Sequence, residues 1–178
     1  FLPKLKEISH MQCKITANEM INKAVLHNMN IIDPSSLLTE TDNTYTANTV
    51  VANQFCTNLS MDITDELKRI DPESISIPIG AVTNLSFLAD KGPEIPFRLI
   101  PMGAVDVGYE TAFSSAGINQ VNYKIWINIS IELKIVNPLY QEPIQMQRKI
   151  MLADLIFKGK VPEHYFQMTP KNEYLLTE

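Results

Sequence analysis

The chain is predicted to be an α+β protein, with N-terminal helices packed on one face of an antiparallel sheet. Three observations carry this. The run Val121–Val136 places Val121, Tyr123, Ile125, Ile127, Ile129, Ile131, Leu133 and Ile135 on one parity, with Asn122, Lys124, Trp126, Asn128, Ser130, Glu132 and Lys134 between them. A period of two sustained this long is a strand with one buried face and one wetter face. Val51, Phe55, Leu59, Ile63 and Leu67 form an unbroken i, i+4 ladder, the buried stripe of a helix. Helical periodicity fills the first half and alternation the second, and that segregation is an α+β pattern.

The first helix is placed at Leu5–Asn28, with Ile8, Met11, Ile15, Ile21, Ala24 and Val25 recurring at threes and fours. Asn18 and Asn22 interrupt the stripe, and Asp33-Pro34-Ser35-Ser36 is turn chemistry that ends the element. A short hairpin follows, Leu37–Glu40 and Tyr45–Ala47 about Thr41-Asp42-Asn43. The second helix spans Val50–Arg69, with Asn48 or Thr49 as its cap and Asp71-Pro72 as its stop. Ser74–Gly80 reads as a short strand whose Pro78 suits an edge or an end. Val82–Asp90 reads as a short helix with Leu85, Leu88 and Ala89 on its apolar side, closed by Gly92-Pro93.

A meander completes the chain. Phe97–Phe113 is a strand in which Gly103 and Gly108 suggest bulges or bends. Ser114–Gln120 turns into the Val121–Val136 strand, and Asn137-Pro138 and Pro143 bracket the next turn. In Ile144–Phe157 the parity changes, since Ile144 and Met146 disagree with Met151, Ala153, Leu155 and Phe157. A one-residue slip flips every side chain, so a β-bulge is predicted near Gln147–Ile150. No linker divides the 178 residues, which read as one domain: 1–70 mainly helical, 75–165 mainly sheet, 166–178 a tail.

The net charge of −5, with Lys and Arg scattered, lacks the basic stripe of a nucleic-acid surface, so no nucleic-acid partner is expected. No apolar run approaches the roughly 18 residues that span a bilayer. Cys13 and Cys56 lie on separate predicted helices without metal-ligand spacing. They are either a disulfide between neighbouring helices or two small buried apolar residues, the second being favoured. His10 and His27 stand too far apart on one helix to share a metal, and His164 beside Glu163 reads as solvated surface. Asp62, Asp65 and Glu66 read as a solvated helix face with an Asp65–Arg69 pair. No cofactor or metal is expected, and no catalytic motif is present, so the chain is read as a non-enzyme.

Two places remain as binding candidates. Trp126 lies on the wetter face of the best strand. It is either a recognition anchor or core beneath a covering helix, the latter favoured because large aromatics bury most of their area. The loop Gly117, Ile118, Asn119 and Gln120 joins the two longest strands, and loops on rigid strands are common recognition sites. The competing reading is that Gly117 supplies a positive φ and Asn119 caps backbone groups.

One family fits the motifs. Ile77-Pro78-Ile79-Gly80, Ala89-Asp90-Lys91-Gly92-Pro93-Glu94-Ile95-Pro96-Phe97, Ile100-Pro101-Met102-Gly103, Ser115-Ala116-Gly117-Ile118-Asn119-Gln120 and Lys158-Gly159-Lys160-Val161-Pro162-Glu163-His164-Tyr165 resemble the sporulation protein YunB family in order and spacing. The resemblance covers about Ile75–Tyr165. It implies a protein made in the mother cell of an endospore-forming bacterium, with a single N-terminal membrane segment preceding an ectodomain. On that expectation a membrane anchor is missing ahead of Phe1. The domain would sit outside the mother-cell cytoplasm, in the space between mother-cell and forespore membranes, and bind a partner protein or itself. The family supplies no catalytic residues. The alternative is a cell-wall enzyme or peptidoglycan-fragment binder using Trp126 with Glu132 or Asp154.

Overall fold

The computed structural model describes residues 1–42, 44–70, 75–83 and 85–158. Two helices and a five-stranded antiparallel sheet form one hydrophobic core. Helix α1 is Leu2–Ile31 and α2 is Thr49–Lys68, both close to expectation but α1 longer at each end. Between them lies the hairpin of β1 (Leu38–Thr41) and β2 (Thr44–Ala47). The predicted cap is present: the Asn48 side chain accepts from the Val51 N–H and satisfies one of the orphan donors of α2.

The ladder on α2 holds, with Phe55, Leu59, Ile63 and Leu67 buried. The stripe on α1 holds at Ile21, Ala24 and Val25 but fails at its middle. Met11 and Ile15 are exposed, and the buried line runs through Leu5, Ser9, Cys13, Ala17 and Ile21. These i, i+4 positions are small at their centre, which lets α1 approach its neighbours closely. Apolar periodicity picked the larger residues and missed this. Cys13 and Cys56 are both buried and unpaired, and burial pushes each thiol up to about 11. Asp65 does not pair with Arg69; Glu66 does, at 3.2 Å.

The sheet comprises β3 (Ile75–Pro78), β4 (Glu94–Pro101), β5 (Asp106–Gly117), β6 (Gln120–Val136) and β7 (Gln141–Lys158). Strand β6 is the spine. Strand β7 pairs along its whole length, while β4 and β5 share its other edge end to end. Pro101 faces Leu133 and Asp106 faces Ser130, so four residues oppose two. Gly103, at φ +76, sits in that bend, which splits the predicted Phe97–Phe113 strand in two. Gly108 lies in regular pairing opposite Asn128, so no bulge forms there.

The predicted bulge in the last strand exists but lies later. Trp126 faces Met151 and Ile125 faces Ala153, leaving Leu152 as the extra residue. Ile150 and Leu152 keep the phase of Ile144 and Met146, Met151 is exposed, and the flip begins at Ala153. Val82–Asp90 is not an α-helix. Two short 3-10 turns, Ile79–Val82 and Ser86–Leu88, occupy the region, and Leu85 is exposed. The segment is instead held by backbone contacts with Gly80, whose N–H donates to the Lys91 carbonyl at 2.9 Å. The expectations for Asn43, for Asp71-Pro72 and Ser74, and for residues 159–178 including His164 lie outside the described residues.

Candidate functional site

The helices pack on the odd-numbered face of β6, where Val121 through Ile135 are at most 2% exposed. Trp126 therefore lies on the opposite face, which no described helix covers, and the expectation of Trp126 as core beneath a helix is overturned. The side chain is half-buried by its strand neighbours. Glu110 and Met151 flank it across the sheet, and the Lys149 ammonium stands 5.2 Å from its ring centre. Lys149 also donates to Glu110 at 2.6 Å, a contact that bridges β5 and β7 over β6 and holds the Glu110 carboxyl below its usual range. On the same face Lys124 pairs with Asp154 at 3.7 Å, and Gln145 donates to Glu132 at 2.8 Å. The two carboxylates proposed as partners for Trp126 are thus already engaged.

The loop residues form the tip of the β5–β6 hairpin. Gly117 faces Gln120, and Ile118-Asn119 makes a two-residue turn. Gly117 has φ +147 and Asn119 φ +56. Both are conformations that glycine and asparagine tolerate better than other residues, so these two side chains serve the turn. Ile118 is different. It is 95% exposed, and no described core residue receives it. Residues 114–120 are all exposed. Trp126 lies six residues along β6 from Gln120, about 20 Å away at strand spacing. Loop and tryptophan are two separate surfaces.

A polar cluster that sequence reasoning missed ties the start of α1 to the start of β7. Lys6 Nζ lies 3.2 Å from the Glu142 carboxylate and His10 Nε2 3.4 Å from it. The Lys6 contact holds the Glu142 carboxyl below its usual range. The buried Ser9 hydroxyl donates to the Lys6 carbonyl and shares a short hydrogen bond with the Tyr140 hydroxyl. Among the described residues no hydrogen bond joins Ser9 to His10. The i, i+4 spacing of Lys6 and His10 was visible, but their partner comes from more than 130 residues away. A second link is Asn28, buried between the helices, which donates to the Ala24 carbonyl and to Asp62. Among the described residues no group of three or more His, Cys, Asp or Glu could hold a metal ion, and no helix is long and apolar enough to cross a membrane.

The motif order that suggested a family now has a geometric meaning. Ile77–Gly80 and Gly92–Phe97 are the two sides of β3–β4, closed by hydrogen bonds from Ile79 to Pro93 and from Gly80 to Lys91. The family model for sporulation protein YunB matches residues 74–164, just over half of the chain. A relative from Bacillus subtilis (strain 168), sporulation protein YunB, is 26% identical over 92% of this chain and 71% of its own length. No solved structure matches the chain. The chain belongs to the sporulation protein YunB family.

Proposed function

We propose that this chain is a non-enzymatic interaction module used in spore formation, made in the mother cell and tethered to a membrane on the extracytoplasmic side, docking a protein partner through the tip of its β5–β6 hairpin. Family membership supports the sporulation role. The observation that carries the docking site is Ile118. A β-branched residue is a poor choice for a tight turn, and this one is 95% exposed at the tip where β5 turns into the central strand β6. The turn needs Gly117 and Asn119 for its backbone; among the described residues nothing engages the side chains of Ile118 or Gln120.

The test separates those roles. Replacing Ile118 with Ser and Gln120 with Ala in the full-length protein is expected to leave the melting temperature within about 2 °C, a surface-substitution effect, while lowering the yield of heat-resistant spores at least tenfold. Normal sporulation by this double variant would reduce the tip to a turn and remove the proposed site.

A second reading, binding of peptidoglycan fragments, is supported by one observation: no described helix covers the Trp126 face. It requires Lys149 to move off the ring. Titration with muropeptides is expected to show saturable binding that disappears in Trp126→Ala; binding that survives the substitution would exclude this face.

A further inference from the structure

We propose that the groove between α1 and the free edge of β7 binds an extended acidic segment of a partner protein, which adds as a further strand beside Gln145–Arg148. Among the described residues β7 pairs only with β6, so its outer edge is a template for strand addition. The direction of its backbone groups follows from the ladder. Met102 N–H donates to the Glu132 carbonyl, so the even-numbered residues of β6 turn their backbone toward β4 and β5. Their partners on β7 make no ladder bonds to them, and these partners include Pro143 (facing Lys134), Gln145 (facing Glu132) and Gln147 (facing Ser130). Gln145 and Gln147 therefore aim N–H and C=O outward, about 6.8 Å apart. Pro143 fits the same parity, because its missing N–H falls on the unpaired side.

These outward groups face a cavity of about 550 Å³ lined by Lys14, Asn18 and Asn22 of α1 and by Gln145, Met146, Gln147 and Arg148 of β7. The lining supplies amides and two cations. Among the described residues Arg148 donates to the side-chain amide oxygen of Asn22, and neither Arg148 nor Lys14 forms an ion pair. In a chain of net charge −5, two unneutralised cations beside an open strand edge favour a carboxylate-bearing strand. The β7 edge would fix the backbone of that strand and Lys14 and Arg148 would read its charge.

The test uses three fluorescent ten-residue peptides with the purified chain: alternating Thr and Val carrying two glutamates, the same carrying two lysines, and the glutamate peptide N-methylated at alternate positions. The glutamate peptide is expected to bind saturably and to protect the Gln145 and Gln147 amides from hydrogen exchange. The lysine and N-methyl peptides should bind at least tenfold more weakly. The Lys14→Glu, Arg148→Glu double variant should reverse the charge preference. Gln147→Pro, which removes an outward N–H without touching the ladder to β6, should lose the glutamate peptide while melting normally. The proposal is overturned by no saturable binding of the glutamate peptide, by equal binding of the lysine or N-methyl peptide, or by a doubled mass with concentration-dependent protection of the same amides, which would assign the edge to a second copy. Ile118→Ser is expected to leave peptide binding unchanged, so failure here does not bear on the hairpin tip.

Discussion

Tyr123→Ala is expected to destabilise the protein by about 3–5 kcal/mol, the usual cost of removing a buried aromatic ring. That corresponds to a fall of roughly 6–20 °C in melting temperature for a domain of this size. Tyr123 is fully buried at 0% exposure on the helix-covered face, toward the hairpin end of β6, with its ring 4.7 Å from that of Phe113. Truncation removes the ring from beside Phe113 of β5 and Leu155 of β7 and leaves a cavity that packed backbone cannot close. Trp126→Ala, three residues on and larger in volume, is expected to cost less than half as much. Its ring lies on the open face, where it loses a cation contact and partial burial. Thermal melts of the two variants decide the matter. Equal losses would mean that both faces of β6 are core, and would overturn the assignment of the Trp126 face as surface.

The second large effect is expected at Gly80. A Cβ built there would stand 1.6 Å from the Leu88 carbonyl oxygen and 2.3 Å from that of Lys91. Both are backbone atoms of the 79–93 connection, so no side chain can swing aside. Gly80→Ala should cost at least the 1–3 kcal/mol typical of overpacking, in the range of roughly 2–12 °C, and should loosen the β3–β4 pair by breaking the Gly80 to Lys91 hydrogen bond. Gly108→Ala is the internal control. Nothing lies within 4 Å of a Cβ at that position, and Gly108 is not among the residues with positive φ. Alanine there is expected to be neutral, or to stabilise by about 0.4–1 kcal/mol through the unfolded chain. If Gly80→Ala melts like the parent, the close approach of residues 88–91 is wrong, and with it the geometric reason given for the Ile77–Gly80 motif.

These two glycines show how legible the fold was. Both stand in β-type sequence, and spacing alone treated neither as a packing contact. Gly80 matters because of a chain segment eight to eleven residues later that folds back over it. Gly108 was expected to bend a strand and does not, because β6 pairs straight past it. The Gln147–Ile150 bulge was legible as a change of parity, but its position was not. Met151 was counted as buried, whereas Leu152 is the residue that the β6 partner leaves unpaired. The same limit applies to α1, where the large residues Met11 and Ile15 mimicked a stripe that Ser9, Cys13 and Ala17 actually form.

For the candidate site the division is sharper. Turn chemistry at Gly117 and Asn119 could be read from residue types, and the structure places both in backbone conformations that use those types. That left Ile118 as the residue without a structural role, a distinction that required its exposure. For Trp126 the sequence offered two readings and the size of the ring favoured core beneath a helix, whereas the helices take only the all-apolar, odd-numbered face of β6. The outward direction of the β7 backbone, and its meeting with Lys14, Asn18 and Asn22 across more than a hundred residues, had no sequence signal at all.

The sequence by itself determined the α+β class, the two helices, the long central strand, the Asn48 cap and the family. Each rests on local periodicity, on a cap or turn residue, or on ordered motifs that a linear string preserves. Tertiary structure alone decided which sheet face is covered, where the bulge falls, why Gly80 is glycine, and which charges meet. Those outcomes depend on contacts between residues distant in the chain, where packing volume and hydrogen-bond direction override local pattern.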